Sequence, residues 1–445
     1  MGLAAIVVGA ALLGWPAWLN GYPILFTDTN AFLAQTDIPA MVWDKPWIYG
    51  PFLHLFHWGV TLWLPLAATL LGLSHLLWLT QRAVRLQASP RWHVALCAGL
   101  AALTSAPWVA SLLMPDILAP ALVLSLYLLA FAPLARWEVA WLTLVATMCA
   151  AAHLSHLPLA ASLIALTLLL GWRLAPVLRA ATPLALALAL LVATNWVGND
   201  RASVSPYGSV FALARLVGDG PAARVIEAEC PGTGWHLCRW AGRLPTDSDV
   251  FLWEQEGPVW AAREDGAEPG GPISLAPEAT EIVGRTLRAY PLEVARLAAG
   301  NAWAQMFTTR VGDVLGRLDL GNYVLGRVQL VFGDAEAARL QAGLQWHDRL
   351  RGLADGVTWI HPWVAVLGAL GTLLAWRRAH QSRDLPRLRL ALFVLVGLTA
   401  NAVATGALSK PHHRYQARII WLLPLAAVLA WRPPRPGLAV TGFAA

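Results

Sequence analysis

Long apolar runs alternate with short polar segments along most of the chain. They fall at about 3–19, 57–80, 93–112, 116–134, 138–153, 156–172, 179–197, 356–376, 389–408 and 416–431. A helix needs about 20 such residues to cross the hydrocarbon core of a bilayer. The pattern predicts an all-α integral membrane protein with about ten transmembrane helices. The runs at 138–153 and 156–172 are short and could instead form a re-entrant pair. The first run, Ala4–Leu19, has no basic segment before it and reads as a span rather than a cleaved leader.

A hydrophilic stretch separates the seventh and eighth runs. The expected organisation is an N-terminal transmembrane bundle at 1–197, a mostly helical extracytoplasmic domain at 198–355, C-terminal transmembrane helices at 356–431 and a cytoplasmic tail at 432–445. Within the inserted domain, residues 253–277 are rich in Gly, Pro and Glu and read as a loop or flap. From Pro277 a helical pattern follows through Ile282, Leu287, Val294, Leu297 and Trp303, which Pro291 should break in two. The part around Ala298, Asn301, Trp303 and Phe307 is expected to rest on a membrane surface.

Arginines orient the predicted spans. Arg82, Arg85, Arg91, Arg136, Arg173, Arg179, Arg377, Arg378, Arg383, Arg387, Arg389, Arg432 and Arg435 all fall on one side of a ten-span arrangement. Positive residues mark the cytoplasmic side, so both termini are expected there and the inserted domain opposite. For a bacterial chain this is the inner membrane, with the large domain in the periplasm.

Composition agrees. Hydrophobic residues make up 57% and charged residues 13% of the chain, against about 25% charged in an average soluble domain. The net charge of +6 sits mainly in short loops that set orientation, so it does not point to nucleic acid. The 24 tryptophans suit membrane interfaces. Cys97 and Cys149 lie in apolar runs and read as packing residues, whereas Cys230 and Cys238 lie in the inserted domain. In an oxidising compartment these two could form a disulfide; two free thiols are the alternative.

Four polar constellations gather on the predicted outer side. Asp28, within Phe26–Asn30, follows the first run and could take a proton from a substrate; Asp28 or Thr29 could equally cap the next helix. Asp116, in Met114–Pro115–Asp116, carries the same two readings. His153 and His156 could share a helix face as a metal pair, though no third ligand is evident, could hydrogen-bond or face a phosphate, or could be ordinary interfacial histidines. The turn Ser409–Arg418 holds Lys410, His412, His413, Arg414, Tyr415 and Arg418 and breaks the positive-inside pattern. Cations at the mouth of a span need anionic partners. Those partners could be phosphates, lipid headgroups, or the acids Asp28, Asp44 and Asp116. Lys45, beside Asp44, is the other lysine of the chain besides Lys410.

An acidic residue after the first span, a large outer segment and a His–Arg–Tyr turn entering the last span resemble the GT-C superfamily of membrane glycosyltransferases. The chain also resembles a group of proteobacterial multi-span proteins of no known function. The first resemblance implies a polyprenyl-phosphate-sugar donor and an inverting transfer at the outer membrane face; no metal motif is visible in the sequence, so no metal or cofactor is expected. It implies that Asp28 activates the acceptor and that the cationic turn, Lys410, His413, Arg414 and Arg418 above all, holds the donor phosphate. Asp37, Asp44 and Asp116 compete for the role of a second carboxylate. A transporter or flippase of lipid-linked sugars, or a non-catalytic membrane assembly protein, are the other readings. A transporter favours ionisable residues near mid-span, whereas here they cluster at one interface.

Overall fold

The computed structural model describes residues 1–38, 41–171, 174–262 and 270–431. Arg173, Arg432, Arg435, the expected tail and the centre of the Gly/Pro/Glu-rich stretch lie outside the described residues. Helix makes up 75% of the structure, with no strand among the described residues, which puts the chain in the all-α class.

Long apolar helices are fewer than the run pattern predicts. Three have the length and composition to cross a membrane, Trp63–Arg85, Leu174–Asn199 and Leu385–Leu408, where about ten spans were expected. The pair Leu350–Thr358 and His361–Gln381, bent by 42°, makes a fourth if counted as one span. Several of the other runs are interrupted. Gly2–Leu13 stops at Gly14, Pro90–Leu103 stops at Thr104, and His413–Ile420 stops at Trp421. Each break lies two or three residues before a proline, at Pro16, Pro107 and Pro424. Proline has no N–H for the carbonyl four residues back, and its ring clashes with it. The regular helix therefore ends there and a new short helix starts. Hydropathy averaged over a window does not register such a break.

The helices share one large apolar core, reaching from Leu13 and Leu33 through Leu122 and Leu163 to Phe393 and Leu425. The inserted stretch contributes to two cores. Val210, Leu213, Phe251, Leu275 and Ile282 form a small core of their own. Val314, Leu315, Leu340 and Leu350 join the large one. Between them runs the helix Pro291–Phe307, separated by Tyr290 from Pro272–Ala289. The first of these two helices begins at Pro272, five residues before the start read from the sequence, because proline at the first helical position sacrifices no hydrogen bond.

Pro291–Phe307 lies along Leu385–Leu408 with Trp303 and Phe307 exposed. The two backbones approach closely at Gly406, where an added Cβ would meet the Asn301 carbonyl oxygen at 2.6 Å and Ala302 Cα at 2.8 Å. Only hydrogen fits there. Gly406→Ala should lower stability by about 1–3 kcal/mol through overpacking. Gly326→Ala, where a Cβ meets nothing within 4 Å inside the helix Val324–Phe332, should raise it by about 0.5–1 kcal/mol. Thermal melts of the two purified variants beside the parent check both signs.

Candidate functional site

The site begins with a backbone contact. Ile24 N–H donates to the Ser111 carbonyl at 3.0 Å, and Leu113 N–H donates to the Ile24 carbonyl at 2.9 Å. This isolated parallel bridge lays the segment before Asp28 beside the segment before Asp116. Thr29 fastens the join: its hydroxyl accepts from Phe26 N–H at 3.1 Å and lies 3.3 Å from the Leu113 carbonyl, to which it donates. Thr29 thus serves the start of the helix Thr27–Asp37, and Asp28 is left to act elsewhere. Asp116 likewise caps nothing with its side chain; it sits in the first turn of Pro115–Ile117.

Gln345, fully buried, secures the same segment from behind. Its Oε1 accepts from Leu25 N–H at 3.2 Å, and its Nε2 donates to the Leu25 and Val314 carbonyls at 2.7 and 3.1 Å. One amide side chain therefore ties the Asp28 loop to the segment carrying Asp313.

Into this frame the helix His413–Ile420 brings Arg414 and Arg418, one turn apart on one face. Arg414 Nη2 lies 3.9 Å from Asp28 Oδ2, and its Nε lies 3.7 Å from Asp116 Oδ1. Arg418 Nη1 lies 3.5 Å from Asp116 Oδ1. Arg418 also donates from Nε and Nη2 to Asn401 Oδ1 at 3.1 and 2.7 Å, and from Nη2 to Ser155 Oγ at 2.9 Å. Asp313 Oδ2 accepts from the Arg414 backbone N–H at 3.1 Å. On the far side Lys45 Nζ reaches Asp28 Oδ1 at 3.2 Å and also pairs with Asp44. Three carboxylates and three cations thus interleave within one cluster.

Electrostatics follows from that packing. Burial alone would lower the pKa of Arg414, but Asp116, Tyr415, Asp28 and Asp313 outweigh it and hold the guanidinium charged. Burial opposes the charge on Lys45 too, and Asp28 with Asp44 reverses the effect. The Tyr49 hydroxyl is pushed up first by burial and then by the charge of Asp116. Arg414 Nη1, Asp116 Oδ1 and Tyr49 Oη are buried and make no hydrogen bond. Beside Arg414 and Asp313 lies a cavity of about 20 Å³, closed by Trp108, Leu112 and Ala417. That is room for about one water. Asp28, with 26% of its side chain exposed, is the edge of the cluster that solvent reaches most readily.

The cationic turn divides its residues. Arg414 and Arg418 face inward, while Tyr415 lies 5.4 Å from each guanidinium. Lys410 turns outward and donates to Asp247 at 2.6 and 2.8 Å and to Asp249 at 3.1 Å, both beside the small core. His412 lies 3.5 Å from Asp249, and its backbone is held by Gln305 through two 2.9 Å bonds. His413 Nδ1 accepts from Arg310 N–H at 3.1 Å. The Ser155 hydroxyl that Arg418 reaches also meets His153 Nδ1 at 2.8 Å, and His156 Nδ1 donates to the Cys149 carbonyl at 2.6 Å. Asp37 pairs with Arg327 at 2.5 Å, outside the cluster. Cys230 and Cys238 are joined in a disulfide. Among the described residues no three His, Cys, Asp or Glu side chains gather as a metal site. Asp313, Gln345, Asn401, Ser155 and Tyr49 were not singled out in sequence, because their roles depend on partners far along the chain.

The Lys410 hydrogen bond holds the Asp247 carboxyl below its usual range. A depressed carboxylate stabilises the contact above its ordinary pKa and loses that contribution as pH falls through the lowered value. Amide exchange at residues 247–253 and 409–412, corrected for its intrinsic pH dependence, should therefore accelerate below about pH 4. In Asp247→Asn that acid step should disappear while exchange at neutral pH is already faster.

No protein-family model, curated protein or solved structure matches the chain.

Proposed function

We propose that the chain is a membrane glycosyltransferase that moves a sugar from a polyprenyl-phosphate donor to an acceptor at the outer face of a bacterial inner membrane. The observation that carries this reading is the pairing of Asp28 with Arg414 at 3.9 Å, with Arg414 Nη1 buried and unbonded. A partly exposed carboxylate next to a buried guanidinium with a free N–H sets a proton acceptor beside an anion binder. Arg414 would receive the donor phosphate and stabilise it as it leaves. Asp28 would take the acceptor proton. Asp116, itself paired with Arg418, holds Arg414 in place from the buried side. A phosphate leaving group needs little help from a general acid, so the reading requires no second proton donor.

Membrane residence is part of the proposal. Leu174–Asn199 has only 22% of its apolar window buried, and Leu186, Leu188, Leu190, Trp196 and Val197 are exposed along it. His361–Gln381 likewise exposes Trp363, Val366, Leu367 and Leu370. Apolar faces of that extent suit lipid. The expected topology has the inserted stretch outside and the 377–389 loop inside. Cysteines introduced at the exposed positions Asn322 and Ser382 test it. An impermeant maleimide on intact cells should label the first and spare the second; the opposite pattern would reverse every side assignment.

Chemistry is tested by two conservative changes. Asp28→Asn should cut sugar transfer from a polyprenyl-phosphate donor in membranes by about 10²–10⁴-fold, the usual worth of a general base, with donor binding nearly unchanged. Arg414→Lys keeps the charge that Asp116 needs but loses the planar fork. It should weaken donor binding by roughly tenfold, equivalent to about 1.4 kcal/mol. Full turnover by Asp28→Asn would exclude it as the base.

A further inference from the structure

Residues 254–262 and the segment that follows the Cys230–Cys238 disulfide have no part in the Asp28–Arg414 cluster, yet they face one cavity. A cavity of about 730 Å³, open to solvent on one side, lies between residues 239–245 and 254–262. Its size is within the usual range of ligand sites, about 300–1,000 Å³. Trp240, Trp260, Arg239, Arg243, Glu254 and Glu256 line it.

Both walls are braced. The Cys230–Cys238 disulfide ends two residues before Trp240. The buried Glu278 carboxylate accepts from His236 and Leu237 N–H at 2.8 and 3.0 Å, which fixes the short helix His236–Trp240. Arg243 donates from Nε and Nη2 to the Arg239 carbonyl at 3.0 and 2.7 Å, and Arg239 Nη1 donates to the Ala262 carbonyl at 2.7 Å, spanning the two walls. On the opposite wall Trp260 Nε1 donates to the Leu252 carbonyl at 2.7 Å, which sets the plane of its indole. A disulfide, a buried carboxylate and two anchored arginines thus hold these side chains in place before any ligand arrives. That lowers the ordering cost of binding.

We infer that this cavity is a binding site for a neutral oligosaccharide. An indole offers a flat apolar face to the C–H side of a pyranose ring while its surroundings stay polar. Guanidinium and carboxylate groups are planar and can each engage two neighbouring hydroxyls, as donor and acceptor respectively. Among the described lining residues the two arginines balance the two glutamates in charge. An uncharged polyol therefore fits better than a phosphate or a polycation. The site stands apart from the Arg414 cluster, and the inference does not depend on the transfer reading.

Saturation-transfer NMR on the full-length protein in detergent tests it, with maltotetraose, cellotetraose, chitotetraose and mannotetraose as probes and a (Lys-Glu)₃ peptide beside them. At least one saccharide should receive saturation, and its titration should weaken about tenfold in Trp240→Ala and in Trp260→Ala. Arg243→Ala, at an exposed position, should weaken it several-fold while the protein still melts cooperatively above the temperature of the binding measurement, which separates binding from folding. Trp303→Ala, on the helix Pro291–Phe307, should leave it unchanged. Saturation of no saccharide at 10 mM on the order of the weakest useful affinities, saturation of the peptide alone, or equal binding by all three cavity variants would overturn the inference.

Discussion

A guanidinium withdrawn from water must be met by negative charge, and Arg414 meets that demand with carboxylates from three separated parts of the chain. Asp28 and Asp116 lie near its side chain, and Asp313 accepts from its backbone N–H. Each of these acids would be costly to bury alone, and removing one partner of a buried pair costs about 3–5 kcal/mol. The cluster is therefore stable only as a set. That requirement explains the small devices around it: the two-bond bridge between residues 24 and 112, the Thr29 clasp, and the Gln345 amide that grips Leu25 and Val314. None contributes much energy singly, at about 0.5–1.5 kcal/mol per hydrogen bond. Together they fix where the charges can be.

The same reasoning separates the buried arginines from the braces within the cationic turn. Lys410 is matched by two aspartates and His412 stands against one of them, so their charge ties the small core to the turn. Trp43, next to Asp44 and Lys45, makes a second tie by stacking on Phe211 and lying against Trp253. Both ends of the charged cluster are thereby coupled to the inserted stretch. The cavity at Arg414 holds about one water, so a larger ligand there requires neighbouring segments to separate.

Particular residues show how far sequence reasoning reaches. Asp28, Asp116, Arg414 and Arg418 stood out because charge at the edge of an apolar run is expensive, and the structure gathers all four. Asp44, a competing candidate for the second carboxylate, and Lys45, the second lysine on the same predicted side, join them. Asp37, equally acidic and close in sequence, goes to Arg327 instead. His153 and His156 are local features that serve hydrogen bonds at their own turn, where Ser155 is shared between His153 and Arg418. Gln345 and Asp313 carry no local signal, since a glutamine or aspartate in a polar stretch is unremarkable until its partners 320 or 101 residues away are known.

What the sequence determined by itself was the helical class, the apolar character of the runs, and the set of charged residues that could not be left unpartnered. Those properties depend on side-chain chemistry and on spacing within one or two helical turns. Tertiary structure decided where the runs break into shorter helices, which acid meets which base, and that the inserted stretch feeds two cores rather than one. These depend on backbone geometry at proline and on contacts between distant segments. A carboxylate is equally suited to any cation within reach, so only the fold, by setting the distances, selects Arg414 for Asp28 and Lys410 for Asp247.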